Sequence, residues 1–146
     1  MYGLTQTRSN VVSSARLAEK ARILLVDDNE AILTRAARVL TPVCAVVGAV
    51  RDGQAALDAA QTLQPDVIVL DISMPGMNGF EVAASLRKGG STATLIFLSV
   101  HEDEELIRAS KDVGGMGYVV KRRPRSDLEL AVCEVRAGRR FISPFD

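Results

Sequence analysis

The sequence predicts an open α/β fold, a five-stranded parallel sheet of order 2-1-3-4-5 with helices on both faces. Three observations predict it. Between residues 22 and 138 short apolar runs alternate regularly with amphipathic ones. The short runs are apolar at successive positions, as strands covered on both faces must be. Pro42, Pro65, Gly89–Gly90 and Gly138 close the amphipathic runs, where helices would have to stop. Right-handed crossovers leave few topologies for such a pattern, and the flavodoxin-like order fits it best.

The elements follow in order. Ile23–Val26 is the first strand, ending at Asp27–Asp28. A helix follows over Glu30–Leu40, apolar at 32, 33, 36, 37, 39 and 40 and stopped by Pro42. Val43–Val50, rich in β-branched residues, is the second strand. Gly53–Leu63 is an alanine-rich helix, and Val67–Leu70 the third strand with Asp71 at its exit. Gly79–Lys88 is the third helix and Leu95–Leu98 the fourth strand. Glu102–Val113 begins with acidic residues, which suit the positive end of a helix dipole. Tyr118–Val120 is a short fifth strand, and Asp127–Ala137 the last helix.

At 146 residues, 47% hydrophobic and 25% charged, the chain fits one soluble globular domain with a core of its own. Its charges balance at 18 of each sign but are unevenly placed. Residues 1–22 carry net +3, residues 23–120 net −6, and residues 121–146 net +3. The middle suits cations, although a scatter of surface charge gives the same sums. Cys44 and Cys133 lie far apart in apolar surroundings and read as free thiols of a reducing compartment. No apolar run is long enough for a membrane span, and the first residues lack the apolar stretch of a secretory signal. The simplest location is the cytoplasm.

In an open parallel sheet the functional crevice lies beyond the carboxyl ends of the strands. Strand 1 delivers Asp27 and Asp28 there, strand 3 Asp71, strand 4 Ser99 and strand 5 Lys121. In this strand order they face one crevice. Three adjacent carboxylates repel one another unless a cation sits among them, and oxygen ligands with room for water suit Mg²⁺. With the Ser99 hydroxyl and the Lys121 ammonium, the set would neutralise a phosphoryl group in transfer, with Asp71 as nucleophile. Each residue also has a plainer reading. Asp27–Asp28 could be a loop and helix cap, with Asn29 the other cap candidate. Asp71 could begin an Asx turn, Ser99 could cap the fourth helix, and Lys121 could be a surface lysine. Their joint occurrence at four strand ends is what those readings leave unexplained.

LLVDDNE, VIVLDISMPGMNGFEV, IFLSVHED and GYVVK, as they stand here, resemble the motifs of the response-regulator receiver domain of two-component signalling. The resemblance covers roughly residues 22–138. It implies a switch that takes a phosphoryl group from a histidine kinase or phosphotransfer protein. By it Asp71 is the phosphoacceptor and Asp28 a direct Mg²⁺ ligand. Asp27 mainly holds metal-bound water, and Ser73 offers its backbone carbonyl to the metal. Ser99 and Tyr118 form the switch pair, and Lys121 pairs with the phosphoryl group. Phosphorylation would draw the Ser99 hydroxyl inward and let the Tyr118 ring rotate toward the core. The face of helix 4, strand 5 and helix 5 would then change for a partner to read.

Departures from the pattern matter. Many receivers have a cis proline after the lysine, whereas Lys121 is followed by Arg122, Arg123 and only then Pro124, which implies a trans loop. Val100 is bulkier than the residue often found there and would narrow access to the site, whereas the small Ser73 near the same approach points the other way. His101 lacks the surroundings of a kinase phosphorylation box, so the donor is another molecule. AGRRFISPFD resembles the segment that joins NarL/FixJ-type receivers to a DNA-binding output domain. Residues 1–21 read as an N-terminal extension, 22–138 as the receiver and 139–146 as a tail or the start of a linker. SSARLAEKA in the extension has helical propensity. RRPR at 122–125 is basic but no recognition helix follows it, so no direct DNA binding is expected of this chain. A homodimer fits the family without following from these residues. Beyond accepting and slowly losing its own phosphoryl group, the chain is not expected to be an enzyme. Two rival readings are a phosphorylation-independent pseudo-receiver and a small α/β phosphate-ester hydrolase. Intact Asp28, Asp71, Ser99 and Lys121 oppose the first. Ser73 opposes the second, because it cannot be a general acid.

Overall fold

The structure, a computed structural model, describes residues 21–122 and 124–143, the side chains of 124–126 apart. The helix expected in the N-terminal extension lies outside the described residues, as do Arg123 and the side chains of Pro124 and Arg125 in the basic run. Six parallel strands form one sheet in the order β2-β1-β3-β4-β5-β6. They are β1 (Arg22–Val26), β2 (Ala45–Val50), β3 (Val67–Asp71), β4 (Thr94–Ser99), β5 (Gly115–Val120) and β6 (Phe141–Ile142). Five helices alternate with them: α1 (Glu30–Leu40), α2 (Gly53–Leu63), α3 (Gly79–Lys88), α4 (Glu104–Asp112) and α5 (Pro124–Arg136). The predicted order 2-1-3-4-5 is therefore present, with a sixth strand added at the β5 edge.

Residue parity along each strand divides the core. Ile23, Leu25, Val67, Val69, Ile96, Leu98 and Val119 pack toward α1 and α5, against Leu33, Leu40, Leu128 and Val132. Leu24, Val26, Ile68, Leu70, Leu95, Phe97, Tyr118 and Val120 pack on the other face, against Ala56, Val82, Ala83 and Leu86. This explains the continuous apolar runs: each residue in them has a layer to face. Phe80 and Phe97 meet there with ring centroids 5.3 Å apart, tilted by 59°. Each face of the sheet is thus a separate packed layer, and the crevice opens between them at the strand ends.

Several element boundaries differ from expectation by a few residues, and β5 and α5 show why. β5 begins at Gly115 rather than Tyr118, because Gly115 and Gly117 belong to the strand despite weak strand propensity. A β-carbon at Gly115 would stand 2.7 Å from the Phe97 ring and 2.7 Å from the Ser110 carbonyl oxygen. Glycine is what lets β5 lie that close to α4. α5 starts at Pro124, where the missing N–H costs nothing in a first helical turn.

Candidate functional site

The crevice is assembled by how β1 and β3 end. Asn29 caps α1, its side chain accepting from Ala31 N at 2.9 Å and Ile32 N at 3.3 Å. Of the two cap candidates, Asn29 takes the duty, and Asp27 is left to the crevice with one Oδ1 contact to Asn29 N at 2.9 Å. Asp71 is the last residue of β3, 1% exposed. Its Oδ1 accepts from Ser73 N at 3.2 Å, so the Asx-type turn exists alongside whatever else the carboxylate does. The turn back into α3 needs Gly79. A β-carbon there would sit 2.4 Å from the Asp71 carbonyl oxygen and 2.8 Å from Ile72 Cα. Gly79 N donates to Ile72 O at 2.8 Å, which holds the loop tightly under the aspartate. Ser73 itself is exposed.

Carboxylate oxygens of Asp27, Asp28 and Asp71 all lie within 4.8 Å of one another. Lys121 Nζ stands 2.9 Å from Asp27 Oδ2 and 3.0 Å from Asp71 Oδ1. Both contacts are ion pairs, and Asp27 Oδ2 and Asp71 Oδ2 are left without a hydrogen bond. One ammonium cannot neutralise three carboxylates. Burial first, and the Asp27 charge second, push the Asp71 carboxyl up to about 7, with Lys121 opposing them. Burial pulls the Lys121 ammonium down, but its pairs with Asp27 and Asp71 outweigh that and hold it above its ordinary value.

Ser99 ends β4 and is 2% exposed; it lies beside Val120 in the sheet. Lys121 N donates to Ser99 O at 2.6 Å, which ties the lysine to the hydroxyl-bearing residue. Ser99 does not cap α4: Asp103 does, accepting from Glu105 N at 2.8 Å. The Ser99 Oγ instead accepts from His101 N at 3.0 Å. The Tyr118 ring lies inward, 1% exposed, and its hydroxyl donates to His101 O at 2.7 Å. Burial raises the phenol above its ordinary value. Val100 is 60% exposed and His101 is exposed beside it. No cis peptide occurs among the described residues.

The sequence reading missed two contacts at the mouth. Arg122 pairs with Glu102, bridging the loops that follow β5 and β4. Arg51, at the end of β2, donates to the Asp28 carbonyl at 3.2 Å and lies 3.7 Å from Glu30. The available signal was position: Arg51 is the first residue after β2, and Arg122 directly follows Lys121 at the end of β5. Both are exposed, so neither contributes much to stability.

Fold and crevice together define a class. The sequence matches the response regulator receiver domain over residues 23–133, and the chain belongs to that family. Its relatives are of the NarL and GacA kind. It is 34% identical over 127 residues to the nitrate/nitrite response regulator protein NarL of Escherichia coli, covering 86% of this chain and 59% of that protein. It is 31% identical over 125 residues to the response regulator GacA of Pseudomonas viridiflava, covering 84% of this chain and 58% of that one. The chain thus spans less than two thirds of the length of these relatives. Among solved structures, the signal receiver domain of NarL from Mycobacterium tuberculosis superposes with TM-score 0.77 at 32% identity. It is covered over 99% of its length by 83% of this chain. A LuxR-family two-component response regulator from Aurantimonas sp. superposes with TM-score 0.81 at 30% identity, over 86% of this chain and 91% of that one.

Receiver domains bind Mg²⁺ in an acidic pocket, and the residues here fit it. The donors are all oxygen, and a buried Asp71 oxygen without a partner faces the cluster. Receivers act as signalling switches rather than as enzymes with separate substrates. No helix among the described residues is long and apolar enough to cross a membrane.

Proposed function

We propose that this chain is a phosphorylation-activated switch that accepts a phosphoryl group on Asp71 from a histidine kinase or phosphotransfer protein. The observation that carries the reading is the Asp71 carboxylate itself. It is buried at a strand exit, with one oxygen held by Lys121 and Ser73 N and the other unpartnered. A buried carboxylate oxygen left without a hydrogen bond marks a place for an arriving group, a phosphoryl group or a cation. Asp71 Oδ2 attacks phosphorus, the donor's P–N bond breaks, and the departing imidazole takes a proton from solvent. Asp28, Asp71, Asp27 through water and the Ser73 carbonyl would hold Mg²⁺, which supplies positive charge against the phosphoryl oxygens. Lys121 leaves Asp71 for the incoming anion, while Asp27 keeps its ammonium in place. Ser99 turns its hydroxyl from His101 N toward the phosphoryl group. Tyr118 then has its inward position reinforced, and the α4–β5 surface carries the signal.

The domain is assigned to residues 22–138, with residues 139–146 leading out of it. By its NarL-type relatives the chain is the receiver part of a cytoplasmic transcriptional regulator, with pairing of two copies as a further step. The test is intact-protein mass after incubation with acetyl phosphate, with and without Mg²⁺, beside Asp71→Asn. A Mg²⁺-dependent gain of one phosphoryl group, absent from the variant, is expected. No gain from any donor would leave an interaction module that keeps only the receiver fold.

A further inference from the structure

β6 is two residues long, too short to stay paired through its own ladder. Three other features hold it. Gly138, at φ +84°, turns the chain off the end of α5. Arg139 then folds back on Glu134 with two hydrogen bonds of 2.9 Å. The strand itself is clamped at both ends. Arg140 Nη1 donates to Gly115 O at 2.9 Å, where β5 begins. Ser143, 2% exposed, donates from its N to Tyr118 O at 2.8 Å, and its Oγ accepts from Val120 N at 3.0 Å. A buried serine that uses both its backbone and its side chain on one strand is a specific lock, since losing it orphans a buried amide.

The lock sits on the switch. Ser143 brackets Tyr118 and Val120, and Val120 is the sheet neighbour of Ser99. Ile142 pairs with Tyr118 and so projects on the same face of the sheet. A narrow gap at this edge is lined by Ile107, Ser110, Tyr118, Phe141 and Ile142. A Tyr118 ring swinging outward from the core would pass through that gap between α4 and the β5 edge. Docked β6 closes it.

We propose that the edge of β5 is a binding surface for the chain's own residues 140–143, and that their docking clasps the Tyr118 ring inward. Docking and occupation of the phosphoryl site then favour each other, because both select the inward ring. The inference rests on the reading of Ser99 and Tyr118 as the switch pair. It makes the segment leading out of the domain a direct reporter of the site.

The test uses the full chain with Ser143→Ala, Arg140→Ala and the double variant. Three quantities are read: amide exchange at 140–143, the Tyr118 ring resonances without ligand, and the Kd for beryllium fluoride with Mg²⁺. Protected amides in the wild type are expected, with exchange at least about ten-fold faster in the double variant. The Tyr118 ring signal should move toward that of an exposed tyrosine, and the Kd should rise by about five-fold or more. Beryllium fluoride should in turn slow exchange at 140–143 in the wild type. Unprotected amides in the wild type, or amides still protected in the double variant, would overturn the clasp. So would faster exchange with an unchanged ring signal. If Ser143→Ala does not fold, Arg140→Ala carries the comparison. If the wild type binds no beryllium fluoride, the switch reading fails, while the ring signal still decides whether β6 holds Tyr118.

Discussion

Replacing Asp71 by asparagine should stabilise the Mg²⁺-free protein while ending its phosphorylation. The amide keeps an acceptor for Lys121 Nζ and Ser73 N and removes one of three crowded charges. The magnitude follows from the titration of Asp71. Its carboxyl is lifted from an ordinary 3.8 to about 7, by burial first and the Asp27 charge second. The folded state therefore holds this proton more tightly than the unfolded state does. Wild-type stability from this group is full below pH 3.8 and is lost as the pH rises through about 7. The whole move corresponds to about 4 kcal/mol, and relaxation with water entry leaves about 2 kcal/mol as the expected gain at pH 8. Urea unfolding of both proteins at pH 4 and pH 8 reads it. The two should coincide at pH 4, and the variant's midpoint should be higher by about 1 M at pH 8. Adding Mg²⁺ at ten times its Kd should return about 1.4 kcal/mol to the wild type and less to the variant. A variant no more stable at pH 8, or a gap that does not change between pH 4 and pH 8, would refute the reasoning.

Three further substitutions probe neighbouring parts of the site. Lys121→Ala leaves Asp27 and Asp71 facing each other without their ammonium. It should cost about 3 kcal/mol at pH 8 in urea unfolding, and less toward pH 4 as Asp71 protonates. Gly79→Ala forces a β-carbon against backbone that cannot move aside. It should cost about 2 kcal/mol and slow labelling by acetyl phosphate, because the displaced atoms belong to Asp71 and Ile72. Tyr118→Phe removes the donor to His101 O at 2.7 Å. It should cost about 1 kcal/mol and speed amide exchange in the loop between β4 and α4. Unchanged exchange there would mean that the hydroxyl does not hold the loop.

The sheet and the acidic crevice were legible because both are written in local patterns. Apolar runs mark the strands, and Asp27, Asp28, Asp71, Ser99 and Lys121 each stand at a strand's last residue or within two residues past it. What escaped depended on tertiary contact. Gly115 and Gly117 look like loop residues until Phe97 and Ser110 are placed against them. Ser99 looks like a cap until Asp103 is seen to take that position, which moves the start of α4 to Glu104. Phe141–Ile142, preceded by two arginines, carries no strand signal of its own. It becomes a strand only because Arg140 and Ser143 anchor it to β5. The direction of the Tyr118 ring was likewise beyond a linear reading, since it is set by His101 O and by the gap that Ile142 closes.

The packing also explains why a change at Ser99 would reach α4 rather than α5. On α5, Leu128, Ala131, Val132 and Val135 are buried against the sheet. On α4 the one buried residue is Ser110, whose hydroxyl is turned to Ile107 O at 2.7 Å; Leu106 and Ile107 are half-buried. Removing buried apolar side chains from their layer costs about 1.5–3 kcal/mol each, so displacing α5 would spend more than a phosphoryl group's local contacts return. Displacing α4 exposes far less, and it joins the sheet through the polar His101–Asp103 loop on one side and a short turn at Gly114 on the other. The low-stability element is the one next to Tyr118, which lies on the same face as Leu106 and Ile107. A rearrangement at Ser99 therefore has one inexpensive outlet, and β6 lies along it.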